Sequence, residues 1–300
     1  MATRQLFFNA ALREALLEEM TADPRVILLG EDVAVYGGVY KVSQGLLERF
    51  GPDRVRDTPI SEAAIVGAGV GAAIQGLRPV VEIMYADFIP IALDQIVNQA
   101  ALMYFVSGGT VHIPLVIRTQ GGSGSSAGPQ HSKSLEAWFT HIPGLKVVAP
   151  STPAEAKALL KSAIRDDNPV IFLEAEMMYP WKGEVPEGEH LVKIGTAAVA
   201  REGRDVTLVS YSKPMRMVLE AAEELARGGL EAEVVDLRSL RPLDIQTLAL
   251  SVRKTHRCVV VEESWPLCSV GSHVAWVVSR ECFDELDAPV ELVASEDVPM

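Results

Sequence analysis

Positive charge is scarce in this sequence: 27 Lys plus Arg against 40 Asp plus Glu leave a formal net charge of -13 over 300 residues. Phosphate backbones and anionic lipid are bound by clustered Lys and Arg, so the balance sets nucleic acid and membrane surfaces aside as partners. Cysteine is also rare. Cys258, Cys268 and Cys282 lie late in the chain without C-x-x-C spacing, which offers neither a disulfide framework nor a zinc knuckle and fits a reducing compartment. No apolar run is long enough for a bilayer; the longest, 63–74, falls well short. The first twenty residues read as an amphipathic helix bearing Glu14, Glu18 and Glu19, unlike the apolar core of a secretory signal or the acid-poor pattern of a transit peptide. The expected location is cytoplasmic.

What is present is an ordinary globular composition, 48% hydrophobic and 22% charged, at a length that suits two domains. Strand-like runs at 26–32, 78–84, 113–119, 145–149 and 170–174 alternate with helical periods at 42–50, 61–75, 91–105 and 153–165. Runs such as VILLG and PVIFLE lack polar alternation, as strands of a parallel sheet covered on both faces do. The fold class is therefore α/β, with right-handed crossovers. The segment 177–190, MMYPWKGEVPEGEH, breaks the rhythm with proline, glycine and charge and reads as a linker. A second βαβαβ alternation follows: VTLVSY, a helix over 215–227, EAEVVDL, a helix over 243–251, and CVVVEE. These signals divide the chain into domains at 1–178 and 201–300, joined by 179–200.

Three features carry candidate chemistry. Gly67 to Ala72, GAGVGA, matches the dinucleotide fingerprint, with Asp87 downstream, and keeps a nicotinamide-dependent oxidoreductase open as an alternative. Yet Pro59 and Ser61 read as a helix start, which places the glycines inside a helix, where they allow close packing. GGSGSSAGPQH, 121–131, follows a strand at the edge where α/β sheets bind ligands, and its His131 is a residue type that can serve as a proton donor. The loop lacks the Gly-Lys-Ser/Thr end of a Walker loop. Glu62 opens an otherwise apolar helix; it either complements the helix dipole or enters a low-dielectric site where its carboxyl holds a proton.

LLGEDVAVYGGVYKVSQGL, DTPISEAAIVGAGVGAA, ADFIPIALDQIVNQA, HIPLVIR, GPQHS, PGLKVV and SAIRDDNPV, in this order, resemble the β subunits of the thiamine-diphosphate-dependent 2-oxo acid dehydrogenases. VVDLRSLRPLD and the VEESWP region are most similar to the pyruvate-type member; branched-chain and acetoin relatives share the ADFIPIALDQIVNQA segment. The resemblance implies a transketolase-like pyrimidine-binding domain followed by a transketolase C-terminal-type domain. It further implies decarboxylation of pyruvate and reductive acylation of lipoamide on a dihydrolipoyl acyltransferase core. In this family the diphosphate and magnesium are held by an α subunit through a GDG motif, which this chain lacks. Half of an active site is thus expected, completed in an assembly of two α and two β chains. A scaffold that binds such a partner without catalysis is the remaining alternative.

By the same resemblance, Glu62 matches the glutamate that bonds the pyrimidine ring nitrogen, His131 the histidine that assists acyl transfer, and Phe88 the aromatic against the pyrimidine. Glu31 matches an acidic residue near the cofactor. Leu115, Ala163, Ile164, Asp166 and Asn168 match the ligands of a potassium ion in some relatives. Relatives run on beyond DVPM, so the second domain is expected to be cut short at its end.

Overall fold

The computed structural model describes residues 2–300. Its first half runs β1 (Thr3–Phe7), α1 (Phe8–Ala22), β2 (Val26–Gly30), α2 (Leu46–Phe50), β3 (Val55–Asp57), α3 (Glu62–Ile74), β4 (Arg78–Ile83), α4 (Met103–Val106), β5 (Val116–Gly121), α5 (Glu136–Thr140), β6 (Lys146–Val148), α6 (Pro153–Arg165) and β7 (Val170–Ala175). The second half runs β8 (Lys182–Pro186), β9 (Ala198–Arg201), β10 (Val206–Ser210), α7 (Pro214–Arg227), β11 (Ala232–Asp236), β12 (Ser239–Arg241), α8 (Ile245–Thr255), β13 (Cys258–Val261), α9 (Val270–Glu281) and β14 (Glu291–Val293).

A seven-stranded sheet has the order β12-β6-β7-β5-β4-β2-β3, and a five-stranded sheet the order β14-β13-β10-β11-β9. Within them the pairings are parallel except β12 with β6 and β9 with β11. The expected α/β class is met. The chain's halves interlock in two ways that periodicity does not reveal. β12 comes from the second half yet extends the first sheet along β6, and one apolar core joins Ile117, Phe139 and Leu173 to Val209, Tyr211 and Val260. The 179–200 segment, expected as linker, contains β8, which pairs antiparallel with β1 from Thr3↔Pro186 to Phe7↔Lys182. The expected N-terminal helix therefore begins only at Phe8.

Local chemistry explains the elements that place the site. Thr152 accepts a hydrogen bond from the Glu155 amide at 3.2 Å and Pro153 opens the first turn, so α6 occupies the range its sequence predicts. Lys157 and Lys161 bury their stems under α1 and send their ammonium groups to Glu14, Glu18 and Glu189. On α3, Glu62, Ile65, Val66, Gly69, Val70 and Ala73 form the inward stripe. A Cβ at Gly69 would lie 2.8 Å from Val81 Cγ1 and 3.0 Å from Leu115 Cδ1, so this glycine lets α3 press onto β4. Gly71 faces nothing in this chain, and Gly67 faces the Gln95 side chain; close packing thus holds at one glycine of three, against side chains.

The helix expected over 91–105 is broken. A 3₁₀ turn spans Ala86–Ala92 with Pro90 inside it, a π turn spans Gln95–Ala100, and α4 follows. The pieces on either side of 93–94 are bent by 66°, so an apolar period here does not give a continuous helix, while Pro90 falls before the expected range. The helix expected over 42–50 shrinks to α2, because Gly45 takes φ 82° immediately before it. Among the described residues no single helix is long and apolar enough to cross a membrane; the bent pair 86–92 and 95–106 meets the test jointly, and its Ile89, Ala92, Ile96 and Ala100 are packed in the core.

Candidate active site

The site lies where β2 and β4 end and α3 begins. Glu62 is the first residue of α3 and is 7% exposed, with its carboxylate set in the positive end of the helix. No side-chain hydrogen bond or ion pair to it forms among the described residues, and its oxygens are not among the fully buried unpaired atoms, so the carboxylate of this largely buried residue opens toward the site and is free to meet a group from outside the chain. Glu31 leaves the end of β2 beside it. Burial, the charge of Glu62 and the charge of Asp32 together raise the Glu31 carboxyl above its ordinary range. Sequence expectation placed both glutamates at the cofactor, and the fold brings them into one electrostatic pair.

The 3₁₀ turn Ala86–Ala92 packs on α3 and carries Phe88. His131 arrives from the glycine-rich loop after β5, and its ring centroid lies 5.4 Å from that of Phe88 at an interplanar angle of 88°. Two residues that the sequence does not single out complete this group. The Tyr85 ring stands edge-on to His131 at 4.5 Å, and its hydroxyl lies 2.9 Å from that of Tyr40. Burial, then the bond to Tyr85, push the Tyr40 hydroxyl upward, so it stays protonated. The loop itself is turned by Gly122, Gly124 and Gly128 at positive φ, and the His131 amide donates to Gly128 O at 3.1 Å. Lys133 then donates to Asp87 Oδ1 at 2.6 Å, which fastens the loop to the Phe88 turn.

Under the site, Arg118 on β5 is 1% exposed; it donates to Glu82 on β4 at 2.6 Å and to both oxygens of Glu174 on β7 at 2.8 and 2.9 Å. Tyr179 adds its hydroxyl to Glu174 at 2.8 Å and stacks on Tyr40 at 4.5 Å. At the junction of the two halves, an enclosed cavity is lined by Thr119, Glu136, Glu174, Ser212 and Glu263. Burial, followed by the charges of Glu263 and Glu262, pushes the Glu136 carboxyl up to about 8. Neither group was foreseen, because strand register and domain contact, rather than any local motif, assemble them.

The residues matched to potassium do converge at the end of α6, but protein cations already sit there. Arg78 Nη1 donates to Ile164 O at 3.0 Å and Asp166 O at 3.1 Å. Lys146 donates to Asp166 Oδ2 at 2.5 Å, Asn168 donates twice to Asp166 Oδ1 at 2.9 Å, Ala163 O accepts from the Asp166 amide, and Leu115 O accepts from Val170 N. The dinucleotide reading fails on context: Gly67, Gly69 and Gly71 are interior to α3, with no strand leading into them. Among the described residues no group of three or more His, Cys, Asp or Glu is placed to hold a metal ion.

Residues 4–182 match the transketolase pyrimidine binding domain and residues 195–300 the transketolase C-terminal domain. The chain is 48% identical over 303 aligned residues to the pyruvate dehydrogenase E1 component subunit beta-2, mitochondrial, of Oryza sativa subsp. japonica, covering 100% of this chain and 81% of that protein. It is 48% identical to the corresponding subunit beta of Rickettsia felis, across 99% of this chain and 91% of that one. The Rhizobium meliloti subunit beta is 50% identical over 97% of this chain and 63% of its own length. A solved split-gene transketolase, described as an inactive beta4 tetramer, superposes with a TM-score of 0.81 at 27% identity, over 97% of this chain and 89% of that one. A buried glutamate pair at the strand edge, an aromatic turn and a histidine loop thus stand on a transketolase framework, and the chain belongs to the family of pyruvate dehydrogenase E1 component β subunits.

Proposed function

We propose that this chain forms the pyrimidine-binding half of a thiamine-diphosphate-dependent pyruvate decarboxylating site, which an α subunit completes with the diphosphate and magnesium. The observation that carries this reading is the Glu62 carboxylate, buried at a helix start and unpartnered among the described residues. An aromatic heterocycle whose ring nitrogen shares a proton with the carboxyl satisfies such a group, and Phe88, on the turn packed against α3, offers an aromatic surface for a flat ring. The bound cofactor supplies the electron sink for loss of carbon dioxide from a 2-oxo acid. Glu62 holds a proton at its carboxyl against the ring nitrogen and thereby orients the ring. Glu31, with its raised carboxyl, is the proton reserve next to it. His131, gripped between Tyr85 and Phe88, offers its imidazole at the mouth of the site and donates a proton during acyl transfer to lipoamide.

Pyruvate is the substrate favoured by the names of the relatives at 48–50% identity. The further parts of the proposal are a tetramer of two α and two β chains, delivery of the acyl group to a dihydrolipoyl acyltransferase core, and a cytoplasmic location. A potassium ion at the carbonyls of the 163–168 turn is a further part of the proposal, sharing that turn with Arg78 and Lys146.

The test is Glu62→Gln in the enzyme reconstituted with its α partner. The amide keeps size and burial but loses the proton exchange, so pyruvate decarboxylation is expected to fall by about 10²-fold or more while assembly persists. Near wild-type turnover sinks the assignment. Comparison of pyruvate with branched 2-oxo acids and acetoin on the same preparation decides the substrate. For His131→Ala, single-turnover acylation of a lipoyl domain is expected to drop about 10²-fold; an unchanged rate removes that role.

A further inference from the structure

The three rings at the site are set edge to face: Tyr85 to His131 at 84°, Phe88 to His131 at 88°, and Tyr85 to Phe88 at 86°. Tyr85 is the nearest aromatic neighbour of the imidazole, at 4.5 Å between ring centroids, against 5.4 Å for Phe88. Its backbone has φ 104° and ψ 130°, a region that a side-chain-bearing residue enters at a cost and keeps where surrounding contacts over-determine it. The conformation turns the chain sharply out of β4 and aims the ring at His131.

What holds the ring is a chain of contacts ending at a buried ion pair in the first sheet. The Tyr85 hydroxyl lies 2.9 Å from that of Tyr40, and Asn9 Nδ2 donates to Tyr40 O at 2.9 Å. The Tyr40 ring stacks on Tyr179 at 4.5 Å, and Tyr179 donates to Glu174, which Arg118 clamps with two bonds. β4, β5 and β7 thus anchor a side chain that touches a loop histidine.

We propose that Tyr85, held through its hydroxyl by Tyr40, is a positioning residue for His131: it fixes the imidazole against the Phe88 turn so that the ring meets the lipoyl disulfide in one orientation, to protonate the sulfur released as the other takes the acyl group. A histidine on a glycine-rich loop otherwise samples several orientations, and a positioned acid needs its partner within hydrogen-bond reach. The proposal rests on the acyl-transfer reading of His131.

The experiment uses the enzyme assembled with its α subunit and compares pyruvate decarboxylation, read with an artificial electron acceptor, with single-turnover acetylation of a lipoyl domain. Tyr85→Ala is expected to reduce lipoyl acetylation about fivefold or more beyond any loss in decarboxylation, the scale of a lost aromatic pair. Tyr85→Phe, Tyr40→Phe and the double variant are expected to share one smaller loss, because they delete the same hydrogen bond. Equal losses in the two assays, or hydroxyl deletions whose effects multiply, overturn the proposal. Carbethoxylation of His131, followed by peptide mass, separates this from failure of the acyl-transfer reading. Should His131→Ala leave acetylation unchanged, faster modification of His131 in Tyr85→Ala still supports positioning, and an unchanged modification rate refutes it.

Discussion

Two clusters of buried charge, which meet where Glu174 and Glu136 line one cavity, are built on opposite plans. Around Arg118 every charged group is hydrogen-bonded: one guanidinium serves Glu82 and both oxygens of Glu174, and Tyr179 donates to Glu174, although burial still raises the Glu174 carboxyl above its ordinary range. At the junction of the halves, Glu136, Glu262 and Glu263 face one another with Lys213 bonded to Glu263 at 2.6 Å, while Glu136 Oε2 and Glu262 Oε1 are buried without partners. The difference follows from how each is assembled. Glu82 and Arg118 are register partners on adjacent parallel strands, and Glu174 lies two residues beyond the register partner of Arg118, so backbone pairing brings the charges together. The junction gathers side chains from α5 and from the loop after β13, whose spacing depends on how the halves sit together. Here the charges within the sheet are bonded through register, whereas those between the halves leave buried oxygens that a proton can satisfy.

The strongest way to break this contrast is Arg118→Met. Two carboxylates would be left buried without a cation, and the expected loss is about 3–5 kcal/mol in chemical denaturation. A loss below about 1 kcal/mol would mean that the cluster is not closed in the sense argued here.

Next comes the pH dependence of the open cluster. The Glu136 carboxyl is held at about 8 in the fold against an ordinary 4.5, so between these values the folded chain keeps a proton that the unfolded chain gives up. Its contribution is complete below the lower value and is lost as pH rises toward the upper one, at up to about 1.4 kcal/mol per pH unit. Glu136→Gln is therefore expected to flatten the decline of the melting temperature between roughly pH 5 and 8. Parallel profiles for the two proteins would remove Glu136 from this role. The smallest effect belongs to the exposed pair Arg56–Asp53, with side chains 57% and 96% accessible. Arg56→Ala is expected to change stability by no more than about 0.5 kcal/mol, and a larger change would show that accessible pairs here are not interchangeable with solvent.

Much of the first sheet was legible in the sequence. The runs at 26–32, 78–84 and 170–174 contain β2, β4 and most of β7, since fully buried parallel strands leave uninterrupted apolar runs. α6 carries its own start signal in Thr152-Pro153 and needed no tertiary help. The strands β1, β8 and β12 were missed because their partners lie far away or across the domain junction, and short mixed-polarity strands leave no period of their own. The strand expected at 113–119 begins only at Val116, after Pro114, and α9 passed without notice. Resemblance singles out Glu62, Phe88, His131 and Glu31, whose roles remain part of the proposal, and the fold places them near one end of the first sheet. Tyr85 and Tyr40 were not legible, because nothing in the order of residues announces a φ of 104° or a hydroxyl pair spanning 45 positions.

By itself the sequence determined the α/β alternation, the division into two unequal rhythms and the excess of acidic over basic residues. These are properties of local periodicity, charge and motif, which each segment carries within itself. Tertiary structure alone decided that β12 crosses to the first sheet, that Arg118 is closed while Glu136 is open, and that the histidine loop is seated on Tyr85. Those depend on contacts between segments tens of residues apart, where register and burial set the energy of a charge or a ring, and no single segment contains that information.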